Sequence, residues 1–272
     1  MTETAQFPPA HVAVYAALAL ANFPFVLAID WYSKHRPVRK IYDVSIDRKQ
    51  IVREIKNSLI TTPIHAVLLA ALVESGLLRA GIEKPPSIAI TFAIALIWTE
   101  IWHYASHRAM HWKPLHFIHR EHHLSWATGP WSSVSFSVLE KLIFSLGIIG
   151  GMALLSRSFS VSLYGIATYY LVYFFTNALG HSNIEFRSGS YYDSFFGQLF
   201  NTPTFHAMHH ARYIRNYGLL TPFLDRLFDT AWPDARDVQR RVAGGSPLRK
   251  LNERLFARTP QTAPAAKEGQ PC

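Results

Sequence analysis

Residues 107–123 read His107-Arg-Ala-Met-His111-Trp-Lys-Pro-Leu-His116-Phe-Ile-His119-Arg-Glu-His122-His123. A gap of four sets His107 and His111 on one helix face, and gaps of three and four do the same for His119, His122 and His123. The second spacing returns at His206-Ala-Met-His209-His210, and His181 stands in Gly180-His181-Ser182-Asn183 at the end of an apolar run. Eleven of the fourteen histidines fall between residues 103 and 210. Lone histidines such as His11, His35 and His65 read as ordinary core or interfacial residues. Two His-x-x-His-His runs beside a His-x-x-x-His pair do not.

Imidazole nitrogen ligates iron, copper, nickel and zinc. The single cysteine, Cys272, allows neither a thiolate cluster nor a disulfide framework. His107, His111, His119, His122, His123, His181, His206, His209 and His210 are too many for one ion, which takes roughly four to six ligands, and suit two. A solvated histidine cluster acting as a pH sensor is the competing account. It leaves buried imidazoles unpaired, so metal is the better reading. The His-Glu-x-x-His order of zinc proteases is absent, and Glu121 has no counterpart with which to build a carboxylate-bridged helical bundle site. No phosphate loop, nucleophile elbow or dinucleotide fingerprint is present.

Around this constellation lie apolar segments at 11–30, 58–78, 87–106, 136–156 and 160–180, each near the roughly 20 residues that cross a bilayer. They predict an all-α integral membrane protein with about four to five transmembrane helices and a cytoplasmic helical histidine-cluster metal site. Pro63 and His65 interrupt the second segment, and Glu140 and Lys141 the fourth. The formal net charge is +9. Its basic residues flank the apolar segments, which points to lipid headgroups and away from nucleic acid. Segments 31–57 and 181–272 hold eight and twelve Lys or Arg, whereas the turns near Arg79/Lys84 and Arg157 hold three. The bias puts the C-terminus and the histidines inside and the N-terminus outside. The chain divides into N-terminal membrane helices with a basic loop (1–94), a catalytic region (95–232) and a basic, partly disordered tail (233–272), of which 258–272 is rich in Ala, Pro and Thr.

The ordered set His107-Arg108…His111, His119…His122-His123, His181-Ser182-Asn183 and His206…His209-His210, followed by Asn216-Tyr217-Gly218 and Asp225-Arg226-Leu227-Phe228, resembles the fatty acid hydroxylase / sterol desaturase superfamily over about residues 95–232. Ser137-Val138 ahead of Glu140, Leu224 and Asp229 depart from the usual pattern. The resemblance implies a membrane oxidoreductase with two iron ions as cofactor and O2 as co-substrate, hydroxylating or desaturating a sterol-like or fatty acyl lipid drawn from the bilayer. It implies that the nine histidines are the metal ligands and the catalytic residues.

His103 and His116 are further ligand candidates. Glu100, Glu121, Asn183, Asn216, Asp225 and Arg226 are candidates to orient the imidazoles. Electrons would come from a separate ferredoxin or cytochrome b5-type donor, because no haem or flavin module is present. Arg236, Arg240 and Arg241 offer a surface for it. Aromatic residues Tyr169, Tyr170, Tyr173, Phe174 and Phe175 either line a lipid route or pack the bundle. Spacing alone does not separate iron from zinc, so a non-redox zinc hydrolase or metal-stabilised scaffold is the alternative. A metal transporter would carry its ligands at mid-membrane depth.

Overall fold

The computed structural model describes residues 8–81 and 83–255. Among these residues there are helices and isolated bridges but no strand. The chain begins with α1 (Pro9–Leu20) and α2 (Asn22–His35), nearly continuous across Ala21. Next come α3 (Arg48–Thr61) and α4 (Ile64–Glu74), separated at Thr62-Pro63. Pro63 has no amide hydrogen to carry the ladder onward. The long α5 (Pro85–Met110) opens with two prolines in its first turn, where the missing donors are harmless, and ends on the first histidine pair. After the short α6 (His116–His123) come α7 (Val138–Leu155) and α8 (Leu163–Gly180), capped by the hydroxyls of Ser137 and Ser162. The remainder carries α9 (Phe195–Leu199), α10 (Pro203–Arg212), α11 (Phe223–Leu227) and α12 (Ala235–Ala243).

Four helical stretches, Pro9–His35, Arg48–Glu74, Pro85–Met110 and Val138–Leu155, are long and apolar enough to cross a membrane. They make this an integral membrane protein. Exposed Leu20, Val67, Ile97 and Leu154 give their outer faces an apolar surface. The segment expected at 160–180 does form a helix, α8, but its Tyr, Thr and Asn content keeps it outside that apolar set. Instead it is the hub of the bundle. It packs on α5, α2 and α1 and buries Tyr169, Tyr170, Tyr173 and Phe174 in the main core. Those aromatics are therefore packing residues, and only Phe175 reaches the surface. The segment expected at 58–78 starts ten residues earlier, because the charged turns of α3 precede α4 in one helical stretch broken only at Thr62-Pro63.

Small residues set the closest approach inside the bundle, as is usual where lipid offers no hydrophobic drive between helices. Gly147 and Gly151 of α7 lie beneath the indoles of Trp102 and Trp98 of α5, and a Cβ at either would overlap the ring. Trp98 Nε1 donates to the Gly147 carbonyl at 2.9 Å, which satisfies its polar edge in an apolar setting.

Pairings at the helix ends define two poles. At one, His11 and Tyr15 hold Glu74, Ala80 bridges Val161, and Glu83 caps the start of α8 through the Leu163 amide. At the other, Lys40 bridges Ile184 and Tyr42 bridges Leu248, while Arg53 pairs with Glu121 at 3.2 Å. Segments 36–47, 111–137 and 181–255 thus gather at one pole, the same segments that the charge pattern groups together. There α10 and α12 build a second core around Phe205, Met208, Val238 and Val242. Residues 258–272 lie outside the described residues.

Candidate metal centre

All nine histidines meet at this second pole. Helix α5 presents His107 and, at its C-cap, His111. Helix α6 presents His119, His122 and His123, the C-cap of α8 presents His181, and α10 presents His206, His209 and His210. They sort into two clusters. His107, His111, His119, His123 and His209 form one, and His122, His181, His206 and His210 form the other; within each, one nitrogen per residue lies within 4.8 Å of all the rest. The sorting follows helix geometry. In α6 the i and i+4 residues, His119 and His123, share a cluster, and His122 turns to the other. In α10, His206 and His210 share the second cluster and His209 crosses to the first. Both helices therefore straddle both clusters.

Backbone carbonyls fix which nitrogen faces inward. His107 Nδ1 donates to the Tyr217 carbonyl at 2.8 Å, His122 Nδ1 to Ser135 at 3.0 Å and His181 Nδ1 to Asn177 at 2.9 Å. His209 Nδ1 donates to Arg215 at 2.7 Å and His210 Nδ1 to Ser125 at 3.1 Å. His119 Nδ1 meets the Glu140 carboxylate at 2.6 Å. A neutral imidazole that donates from Nδ1 carries only a lone pair on Nε2. Yet His181 Nε2 lies 3.3 Å from His122 Nε2, 3.2 Å from His210 Nε2 and 2.9 Å from His206 Nε2. His209 Nε2 lies 3.0 Å from His123 Nε2. The lone pairs of His122, His181 and His210 face one another and cannot hydrogen-bond.

A proton between them is disfavoured. Burial lowers the basicity of His122 and His210 well below the ordinary histidine range and brings His181 down to about 4. A shared cation removes the conflict. Nitrogens at roughly 2.1 Å from one ion sit about 3 Å apart at right angles. The chemistry and spacing of the donor set fit metal.

Beneath the clusters, on the side of the membrane helices, is a narrow void of about 10 Å³ lined by His103, Phe136, Glu140, Phe144, Tyr173 and Leu219 among others. It has room for little more than one water. His103 belongs to neither cluster. It is buried, stacks on Phe144 with ring centroids 5.0 Å apart, and has no hydrogen-bond partner on either nitrogen. His116 also stands outside, against Tyr213.

The residues expected to orient the imidazoles act on loops instead. Asp225 accepts from the Tyr217 and Gly218 amides, which shapes the turn whose Tyr217 carbonyl holds His107. Asn216, at φ 54°, bonds Phe205 O and Trp232 N, and Asn183, at φ 57°, clamps both backbone groups of Tyr42. Glu100 takes the Leu220 and Thr221 amides, Glu121 pairs with Arg53 and Asn57, and Arg226 reaches only the Gln198 carbonyl. The direct side-chain partner is Glu140. Its signal in the sequence is a carboxylate at the start of an otherwise apolar helix, where an ionisable group needs a partner. Arg236 and Arg240 pair with Asp193, and Arg241 with Glu253, so that surface is largely neutralised within the chain.

A family model described as fatty acid hydroxylase matches residues 92–230. The rice (Oryza sativa subsp. indica) very-long-chain aldehyde decarbonylase GL1-4 is 28% identical over 75% of this chain and 34% of its own length. Its subsp. japonica relative GL1-7 is 27% identical over 88% of this chain and 39% of its own. Protein CER1-like 2 of Arabidopsis thaliana is 27% identical over 75% of this chain and 34% of its own. The chain thus spans little more than a third of the length of these relatives. No solved structure matches it significantly. On the matched region, which carries both clusters, the chain belongs to the fatty acid hydroxylase / sterol desaturase superfamily.

Proposed function

We propose that the chain is a membrane oxidoreductase that binds two iron ions, one in each histidine cluster, and uses O2 to hydroxylate or desaturate a lipid. The observation that supports this most is the set of inward-facing Nε2 lone pairs of His122, His181 and His210, in which His122 and His210 lie 3.3 and 3.2 Å from His181 and which a shared cation reconciles. A five-nitrogen cluster beside a four-nitrogen one favours iron over zinc, whose structural sites are almost always closed at four ligands. Iron held there would supply activation of O2 for removing hydrogen from an unactivated carbon.

The protein's part is positional. Carbonyls of Ser125, Ser135, Asn177, Arg215 and Tyr217 lock the imidazole tautomers, and Glu140 holds the His119 Nδ1 proton. Phe136, Phe144 and Leu219 keep water from the membrane side of the centre. The excess of basic residues at this pole supports a cytoplasmic placement with the N-terminus outside, where a ferredoxin or cytochrome b5-type donor has access. Purified protein given reductant, O2 and long-chain lipids should consume O2 in step with product. Undiminished turnover under strict anaerobiosis would contradict the reading.

A further inference from the structure

Two neighbouring charges at the start of α7 part company. Glu140 turns to His119. Lys141 is only 8% exposed and sets its ammonium 5.5 Å from the centroid of the Phe136 ring. Among the described residues no carboxylate lies within ion-pairing distance of that ammonium. A buried cation with no anion beside it is costly and needs an acceptor from elsewhere.

Phe136 connects this cation to the metal centre. Its ring stacks on the His122 imidazole, with centroids 4.7 Å apart and planes 9° from parallel. The same ring lines the void beneath the histidines and also the floor of an open groove of about 420 Å³ between α3, α6 and α7. That volume is in the range of ligand sites, roughly 300–1,000 Å³, whereas the void beneath the histidines is far too small for a lipid. The groove is amphipathic. Asn57, Arg120 and Glu121 form its polar lip, and Ile60, Phe117 and Val138, all about half exposed or more, form its apolar wall. Lys141 follows Ser137 of the groove by one helical turn and lies behind its lining, with its ammonium against the Phe136 ring that the groove exposes.

We propose that this groove binds the chain of the lipid substrate, and that Lys141 donates hydrogen bonds to a carboxylate on the lipid's head carbon. Charge complementarity at Lys141, together with the Phe136 side chain that the groove and the histidine centre share, selects this occupant over a plain hydrocarbon. The carbons next to the oxygen then lie one aromatic ring from His122, and Phe136 controls how far they advance. This assignment builds on the reading of the histidine centre as a lipid-oxidising site.

The test is equilibrium binding of radiolabelled hexadecanoate and hexadecane to the purified full chain in detergent, which needs no turnover. Lys141→Met should weaken hexadecanoate binding at least about tenfold and leave hexadecane unchanged. Lys141→Arg should bind hexadecanoate like the parent, and Lys141→Gln should fall between. If Lys141→Met does not elute as folded protein, Lys141→Gln against the parent decides. Unchanged hexadecanoate affinity in the uncharged variant would overturn the proposal, as would an equal loss for both probes. Binding that depends on Lys141 in a protein without O2-dependent turnover would uphold this site and refute the oxygenase reading. Turnover without such dependence would do the reverse.

Discussion

At the scale of single residues, the decisive feature is the orientation of each imidazole. In six of the nine the Nδ1–H points outward, five to carbonyls of Ser125, Ser135, Asn177, Arg215 and Tyr217 and one to the Glu140 carboxylate. A carboxylate behind a ligand histidine raises its donor strength and fixes its ring. Glu140→Gln should therefore weaken metal binding about ten- to hundredfold in competition with a chelator, whereas His35→Ala should change nothing. His35 bonds only the Trp31 carbonyl of its own helix, on the exposed surface.

The nine histidines were legible in the sequence because their gaps match the helical turn. Their division into clusters was not. Spacing places His119, His122 and His123 on one face, but which member turns to which cluster depends on how α6 and α10 meet, and that is a tertiary fact. His65 read correctly as a core residue: it bonds the Leu18 carbonyl at 3.0 Å and packs against Tyr170 and Phe174.

At the scale of elements, α10 carries three of the nine histidines and must be held against the rest. The anchor is Arg212 in its last turn, which makes two hydrogen bonds of 2.6 and 2.8 Å to Asp234 at the start of α12. Beyond it the chain turns at Tyr213, which has φ 72°. This left-handed C-cap is more often taken by glycine, and it sends Arg215 and Tyr217 back beneath the clusters.

Burial pushes the Asp234 carboxyl up, but the hydrogen bonds and charge of Arg212 outweigh it and hold the group below the ordinary aspartate range. A depressed carboxyl stabilises the fold fully above its unfolded pKa of about 3.9, and that stabilisation is lost as pH falls through the folded value. Asp234→Asn should lower stability near neutrality by about 3 kcal/mol, since it strands a buried guanidinium. It should also remove this acid-dependent step from thermal unfolding curves recorded against pH. A step that persists in the variant would assign the acid sensitivity to another group. This pair was not visible in the sequence, because nothing local links Arg212 to a residue 22 positions on. Helix α8 was legible as an apolar helix running between the two poles, but its place at the hub was not: that its Tyr169, Tyr170, Tyr173 and Phe174 side packs in the main core against α1, α2 and α5 is a tertiary fact.

At the scale of the whole molecule, the bundle separates an apolar body from a basic pole that holds the histidines. The bridges Lys40–Ile184 and Ala80–Val161 mark opposite ends, so the orientation proposed from charge is testable with two labels. With Cys272 replaced, a cysteine at exposed Ser75 should react with an impermeant maleimide in intact cells. One at exposed Ser45 should react only after permeabilisation. The reverse pattern would move the histidine pole outside.

The most direct test of the central claim, that each histidine cluster would hold one iron ion, is metal quantitation with Mössbauer spectroscopy on 57Fe-grown protein purified without oxygen. The account predicts two ferrous ions per chain in nitrogen-rich sites, both signals changing on exposure to O2. A single ion per chain, or tightly held zinc with no iron signal, would contradict it.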